Sequence, residues 1–403
     1  MALRQSRFVK TSGVGRARAS QVRGMLDVLR HVHAYPATTR AELARNLGLS
    51  RGLASEITGR LRALDLVEET ETERSGGRGR PTRALGAHAR GPVVAAVDIS
   101  HEAWRLAVGA LGGDVTVLRH ERPRERRPGP VLAAVGAALT ATARDLGGRL
   151  RAVGVALPGI ISGGRLLQAS HLGWQDVDVA AGLPLLGVPI VIGNDATLGG
   201  VAEARRGAGF GADVALHLTV EVGLGGALLD HGRPITGSTG AGGEFGHLPF
   251  GDPTRQCPCG ANGCWDLDFD GRTLARRLGV HDLDDPRTAT ETVLDRARSG
   301  DPAAVAIVHE LAASLGRGTA GLVNALDPRV VTLSGLAAAV LDVAGPQIDS
   351  AYRRGLMLFR RSDAPAVIPA RFPADGVLRG AAELAFDHLL SEAGIDAWLQ
   401  DRA

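Results

Sequence analysis

Lysine is nearly missing from this 403-residue chain: Lys10 stands alone, and every other strongly basic position is arginine. That bias reflects a GC-rich coding sequence and carries no functional weight. Aromatic residues make up 3% of the chain and cysteines number three, all within CPCGANGC at 257–264. Three clustered cysteines exclude a disulfide framework and fit a reducing compartment. No apolar run approaches the ~18–20 residues that a membrane helix needs. The basic start MALRQSRFVKTSGVGRARAS lacks the apolar centre of a signal peptide. These absences leave a cytoplasmic protein with no membrane role. At 44% hydrophobic and 22% charged residues, it is long enough for two or three domains with cores of their own.

The charges are unevenly spread. Residues 1–90 carry 17 Lys/Arg against 8 Asp/Glu, and residues 91–403 carry 29 against 35. A basic front on an acidic body points to a nucleic-acid-binding module joined to something else. The plainer alternative is a solvated basic tail, which residues 1–19 would supply.

From Val22 to Leu29 apolar residues recur at helical spacing, and TTRAELARNLGLSRGLASEITGRLRALDLVEE follows at 38–69. Thr39 and Glu42 have capping-box spacing and start a helix that turns Leu43, Ala44 and Leu47 inward. Gly48 suits a left-handed helix end and Ser50 can cap the next helix. The spacing of Leu53, Ile57, Leu61 and Leu64 predicts the inward stripe of that second helix, with Arg51, Ser55, Arg60 and Arg62 outward. Helix, tight glycine turn, helix is the arrangement whose second helix enters the major groove by its N-terminus. It nominates Ser50, Arg51, Ala54, Ser55 and Arg60 for DNA contact; a purely structural helical hairpin is the alternative. After Val67 a strand, the turn SGGRGRPT and a second strand would form a wing. Its Arg78 and Arg80 suit a narrow minor groove, although the same run also fits an interdomain linker.

From Pro92 buried strands alternate with helices, as in an α/β protein, and glycine-rich turns directly follow several strands. Leu157-Pro158-Gly159, Leu172-Gly173-Trp174, Gly193-Asn194-Asp195-Ala196, Gly223-Leu224-Gly225-Gly226, Asp230-His231-Gly232-Arg233 and Gly240-Ala241-Gly242-Gly243-Glu244-Phe245-Gly246-His247 occur in this order before the cysteine cluster. In these motifs the chain resembles the ROK family (repressors, open reading frames and sugar kinases), in its repressor branch. The resemblance implies an N-terminal winged helix-turn-helix over 20–86 and a two-lobed actin-like ATPase fold with a sugar cleft. The small lobe would comprise 92–195 and 381–403, and the large lobe, with the cysteine loop, 196–380.

Family kinases carry an Asp-x-Gly-Gly-Thr turn where this chain has Asp98-Ile99-Ser100-His101-Glu102, and a Gly-Thr-Gly turn where it has Glu221-Val222-Gly223. Two carboxylates facing a polyphosphate oppose its binding, so the ATP side is expected to be dismantled. The sugar side is largely kept. Asn194, Asp195, Glu244 and His247 match sugar contacts, while His171 stands where the family has Asn, and Asp266 where it has the longer Glu. Asp195 could equally serve as a helix N-cap after the strand PIVIG.

His247, Cys257, Cys259 and Cys264 have the residue types of a tetrahedral zinc site. A Cys257–Cys259 disulfide would close a very tight loop, and no base is nominated for a cysteine nucleophile. The family resemblance adds weight to zinc, here structural because all four ligands are protein groups. Together these features predict a DNA-binding regulator, most simply a repressor of carbohydrate genes. It would act as a homodimer or homotetramer on a duplex operator, with a sugar or sugar-phosphate effector. The alternatives are an ATP-dependent sugar kinase, or a regulator with a vestigial sugar site controlled by a protein partner.

Overall fold

The computed structural model describes residues 13–71, 83–169, 172–184, 186–280 and 286–401. Arg78, Arg80 and His171 therefore lie outside the described residues, as does most of the basic tail.

The front of the chain folds as three helices and a hairpin: Gly13–Ala34, Arg40–Asn46 and Arg51–Ala63, then strands Val67–Glu71 and Arg83–Ala87 paired antiparallel. The expected caps are present. Thr39 and Glu42 form a reciprocal capping box, the Ser50 side chain accepts from Leu53 N, and Gly48 takes φ +65°. The inward stripe of the third helix differs from the leucine spacing. Ala54, Thr58 and Leu61 are buried, whereas Leu53 is 43% exposed. The helix therefore presents Ala54, not Leu53, to the core, with Thr58 and Leu61 on the same face.

The body contains two five-stranded sheets of one topology. In the first, Val93–Ile99, Trp104–Ala110 and Val115–Glu121 form an antiparallel meander, and Leu150–Leu157 and Ile190–Asn194 extend it in parallel. In the second, Val214–Val220, Leu224–Asp230 and Arg233–Pro234 form the meander, and Val330–Gly335 and Ala366–Pro369 the parallel extension. Val93–Ile99 is buried along its whole length, as an apolar strand covered on both faces must be. Helix Pro128–Asp145 covers the first sheet, and the long pair Pro302–Leu326 and Leu336–Gly355 covers the second.

The chain then crosses back: helix Gly376–Leu389 packs on the first sheet, where a Cβ at Gly154 would lie 1.9 Å from Ala381 O. Helix Asp195–Arg206 lies between that helix and the second sheet. These two helices join the lobes. The last helix, Glu392–Gln400, shares its apolar core with the front module. No helix among the described residues is long and apolar enough to cross a membrane.

Candidate functional site

Strand Ile190–Asn194 passes directly into helix Asp195–Arg206. Asn194, not Asp195, caps that helix: its Oδ1 accepts from Thr197 N at 2.9 Å, while its Nδ2 donates to Gly159 O at 3.0 Å. Asn194 thereby fixes the turn that presents Asp195. The Asp195 carboxylate accepts from Ala196 N at 2.7 Å. Burial, reinforced by Asp98, Glu221 and Glu244, pushes its pKa up to about 7. A carboxyl group poised there can accept or donate a hydrogen bond to a hydroxyl ligand.

Glu244 precedes the short helix Phe245–His247. Its Oε2 lies 3.8 Å from His247 Nε2, and burial raises its pKa. Asp266, one methylene shorter than the glutamate the family pattern implies, is drawn to the opposite turn, where its Oδ1 accepts from Leu224 N at 2.5 Å.

The other nitrogen of His247 faces the cysteines. One ligand atom each from His247, Cys257, Cys259 and Cys264 lie within 4.8 Å of one another. Cys257 Sγ is 3.8 Å from His247 Nδ1 and Cys259 Sγ is 3.6 Å from Cys264 Sγ. Tetrahedral bonds of ~2.3 Å set ligand sulfurs about 3.8 Å apart, so the donor set and its spacing fit a metal ion. Gly260 and Gly263 have φ of +97° and +72°, the left-handed turns needed to aim three thiols at one point. His247 thus bridges the metal cluster and, through Glu244, the cleft.

The nucleotide side is differently built. In the first turn Ser100 N and Oγ both donate to Ala103 O, at 2.8 and 2.9 Å, so this amide is already committed. Asp98 pairs with Arg105, its partner in the hairpin register, at 2.6 Å. Glu221 points at Gly335, where a Cβ would lie 2.5 Å from its Oε1. Gly335 precedes helix Leu336–Gly355, so an internal carboxylate occupies the place where a helix N-terminus favours an anion. Arg287, 66 residues away in sequence, pairs with Glu221, and burial raises the Glu221 pKa.

In the front module Arg51, Ser55 and Arg60 are exposed, and Arg40 Nη1 donates to Ser55 Oγ at 3.2 Å. Ser50 Oγ is taken up by the helix cap. Ala54 is only 1% exposed and belongs to the apolar core, which corrects its nomination as a DNA contact: its methyl faces away from any groove. Arg105 and Arg287 were not nominated from the sequence. The hairpin register opposite Asp98 could have found Arg105, but no local pattern marks Arg287.

A model of the ROK family matches residues 94–388. Among curated relatives, the glucokinase of Streptomyces coelicolor is 26% identical over 300 residues, spanning 70% of this chain and 94% of that enzyme. The xylose repressor of Bacillus spizizenii is 22% identical over 301 residues, spanning 73% and 77%. Among solved structures, a ROK family transcriptional regulator, a homologue of the E. coli MLC protein, superposes with a TM-score of 0.75 at 21% identity, over 94% of this chain and 98% of its own. A Streptomyces griseus glucokinase in complex with glucose and AMPPNP superposes with a TM-score of 0.63 at 27% identity, over 73% and 99%. The likeness to the regulator is one of fold, and it extends beyond the share of the chain that the glucokinase matches.

Proposed function

The chain belongs to the ROK family, and from that premise we propose that it is a DNA-binding transcriptional regulator, a repressor of carbohydrate genes, rather than a kinase. Residues 20–86 serve as a winged helix-turn-helix, with Ser50, Arg51, Ser55 and Arg60 at the major groove and Arg78 and Arg80 at the minor groove. The sugar cleft lies between a small lobe, 92–195 with the returning C-terminal segment from 381, and a large lobe, 196–380. Asp195, Glu244 and His247, with Asn194 as the shaping residue and His171 and Asp266 as the departures, hold a sugar or sugar-phosphate effector. Zinc held by His247, Cys257, Cys259 and Cys264 would supply no chemistry; those four side chains keep Glu244 in place.

The observation that carries this reading is the Glu221 carboxylate seated against Gly335 and clamped by Arg287. A polyphosphate entering there would have to displace Glu221 from Gly335 and break its pair with Arg287, which opposes nucleotide binding. A kinase has no use for such a group. A sensor that must bind sugar without consuming it does.

The regulation follows from a population shift: sugar favours one disposition of the lobes, and the paired reading helices of a dimer lose or gain their half-site spacing. Titration of the full chain with duplexes selected from a random pool tests it, with and without glucose, xylose and N-acetylglucosamine. The expected result is sequence-specific binding that a sugar changes about 5- to 150-fold. Binding no tighter than to bulk DNA ends the reading, and ATP turnover on any of these sugars in a coupled assay would return the chain to the kinases.

A further inference from the structure

Helix Asp195–Arg206 begins at the cleft and ends under the front module, and its far end is held by charge. Arg206 reaches three segments at once. Its Nε donates to Glu383, and its Nη1 donates to His33 O at 2.8 Å and to Gly112 O at 2.9 Å. The Arg206 and Glu383 side chains are 8% and 4% exposed. His33, in the last turn of the front module's first helix, places Nε2 3.3 Å from Glu383 Oε2. Gly112 N donates to its Nδ1 at 3.1 Å, so Nε2 carries the proton and faces the carboxylate. Burial lowers the His33 pKa and keeps the ring neutral. Burial alone would raise the Glu383 pKa, yet its hydrogen bond from His33 and the Arg206 and Arg205 guanidinium groups lower it. Next door, Arg205 makes a two-bond fork to Asp387 at 2.8 and 2.9 Å.

The same helix has a pivot near its other end. Gly380 crosses Leu198 so closely that a Cβ there would lie 1.9 Å from Leu198 O. Helices 195–206 and 376–389 thus touch backbone to backbone near Asp195, and they are tied again by Arg206 and Glu383, about two turns on along the first helix and less than one along the second. A small rotation about the first contact displaces the second, where the front module is attached. The front module is also attached by hydrogen bonds outside this cluster, from Trp398 Nε1 to Leu64 O at 3.0 Å and from Arg30 Nε to Leu390 O at 3.1 Å.

We propose that Arg206 and Glu383 are positioning residues for DNA reading: through His33 they transmit the disposition of the cleft helices to the front module. This rests on the regulator reading above. Buried ion clusters have two discrete arrangements, made or broken, and this is what a transmitting element needs.

Backbone amide exchange on the full chain tests it in two arms. In the first, Asp195→Asn perturbs the cleft with no sugar added. It should change exchange at amides 25–34 by about threefold or more, and Glu383→Gln should reduce that change to about 1.5-fold or less, while the response at 196–200 persists. Equal responses in the two backgrounds would overturn the proposal. Arg151→Ala separates a relay from a merely loosened boundary. Arg151 lies over the Trp398 ring at 4.6 Å, at the same module boundary but off the cluster, so the coupling should survive; its loss there would overturn the relay. If Glu383→Gln does not fold, Arg206→Lys is read the same way, because it keeps the charge but cannot hold Glu383 and the His33 and Gly112 carbonyls together.

The second arm adds glucose or xylose. Protection at 190–200 with no response at 25–63 in the wild type overturns the relay and leaves the sugar site standing. Absence of protection across the panel counts against the sugar reading alone, and the first arm still decides the relay.

Discussion

The two sides of the cleft share a scaffold and differ in how their acids are partnered. On the nucleotide side Asp98 is matched by Arg105 and Glu221 by Arg287. On the sugar side, among the described residues, no arginine pairs with Asp195 or Glu244; a backbone amide and His247 are their polar neighbours. Acids neutralised by internal arginines have no vacancy for a ligand. Acids left with only partial partners are poised for hydroxyl groups. On the proposed reading this contrast would distinguish a binding surface from a catalytic one, a distinction that likeness of fold to a glucokinase does not make.

The largest effect should come from removing what holds the sugar side together. Chelation, or Cys264→Ser at a fully buried ligand, should release about one metal ion per chain and cost roughly 4–5 kcal/mol or more of stability. Glu244, three residues before His247, should lose its place and sugar binding with it, while the Glu221–Arg287 pair on the other side stays intact. Metal analysis and thermal unfolding check this. Full metal content in Cys264→Ser would refute the ligand assignment and remove the metal from the comparison.

A smaller and opposite effect should follow from opening the nucleotide side. Glu221→Thr removes the internal anion and leaves Arg287 facing the helix N-terminus of residues 336–355. AMPPNP affinity should then rise roughly 10- to 100-fold, the weight of one like charge removed from a phosphate contact. Calorimetry on wild type and variant reads the gain. If affinity stays flat even with Glu102→Gly added, the carboxylates are not what closes this side.

Local features were legible in the sequence and distant ones were not. The Thr39–Glu42 capping box, the Ser50 cap, the left-handed Gly48 and the four clustered metal ligands each depend on residues close together in the chain. On helix 51–63 the adjacent Leu53 and Ala54 differ by 100° of rotation; hydrophobicity points to the leucine, and packing on the module's core buries the alanine. Arg287 and Glu221 are separated by 66 residues, and Arg206 and Glu383 by 177. Arg205 and Arg206 also satisfy the ordinary preference for basic residues in a last helical turn, which conceals their long-range partners. Motif order suggested which residues to place beside Asp195, but the turn of Asp266 toward Leu224 N needed coordinates.

The smallest effect, and the sharpest test of the partnering contrast, is the pH dependence of Asp195. Its folded pKa, about 7, lies above the ordinary carboxyl value of 3.8, so between these values the folded chain holds a proton that the unfolded chain has released. A raised folded pKa gives stability that is complete below the unfolded value and is lost as pH rises through the folded one. The wild type should therefore lose stability from about pH 4 to pH 7 through this group and no more above it. Asp195→Asn keeps the shape and removes the titration. Its advantage in unfolding free energy should grow across that window and then level off, even as sugar binding is lost. Parallel stability curves for the two proteins from pH 5 to pH 8 would mean that Asp195 ionises at no cost, and that the sugar side is as well compensated as the nucleotide side.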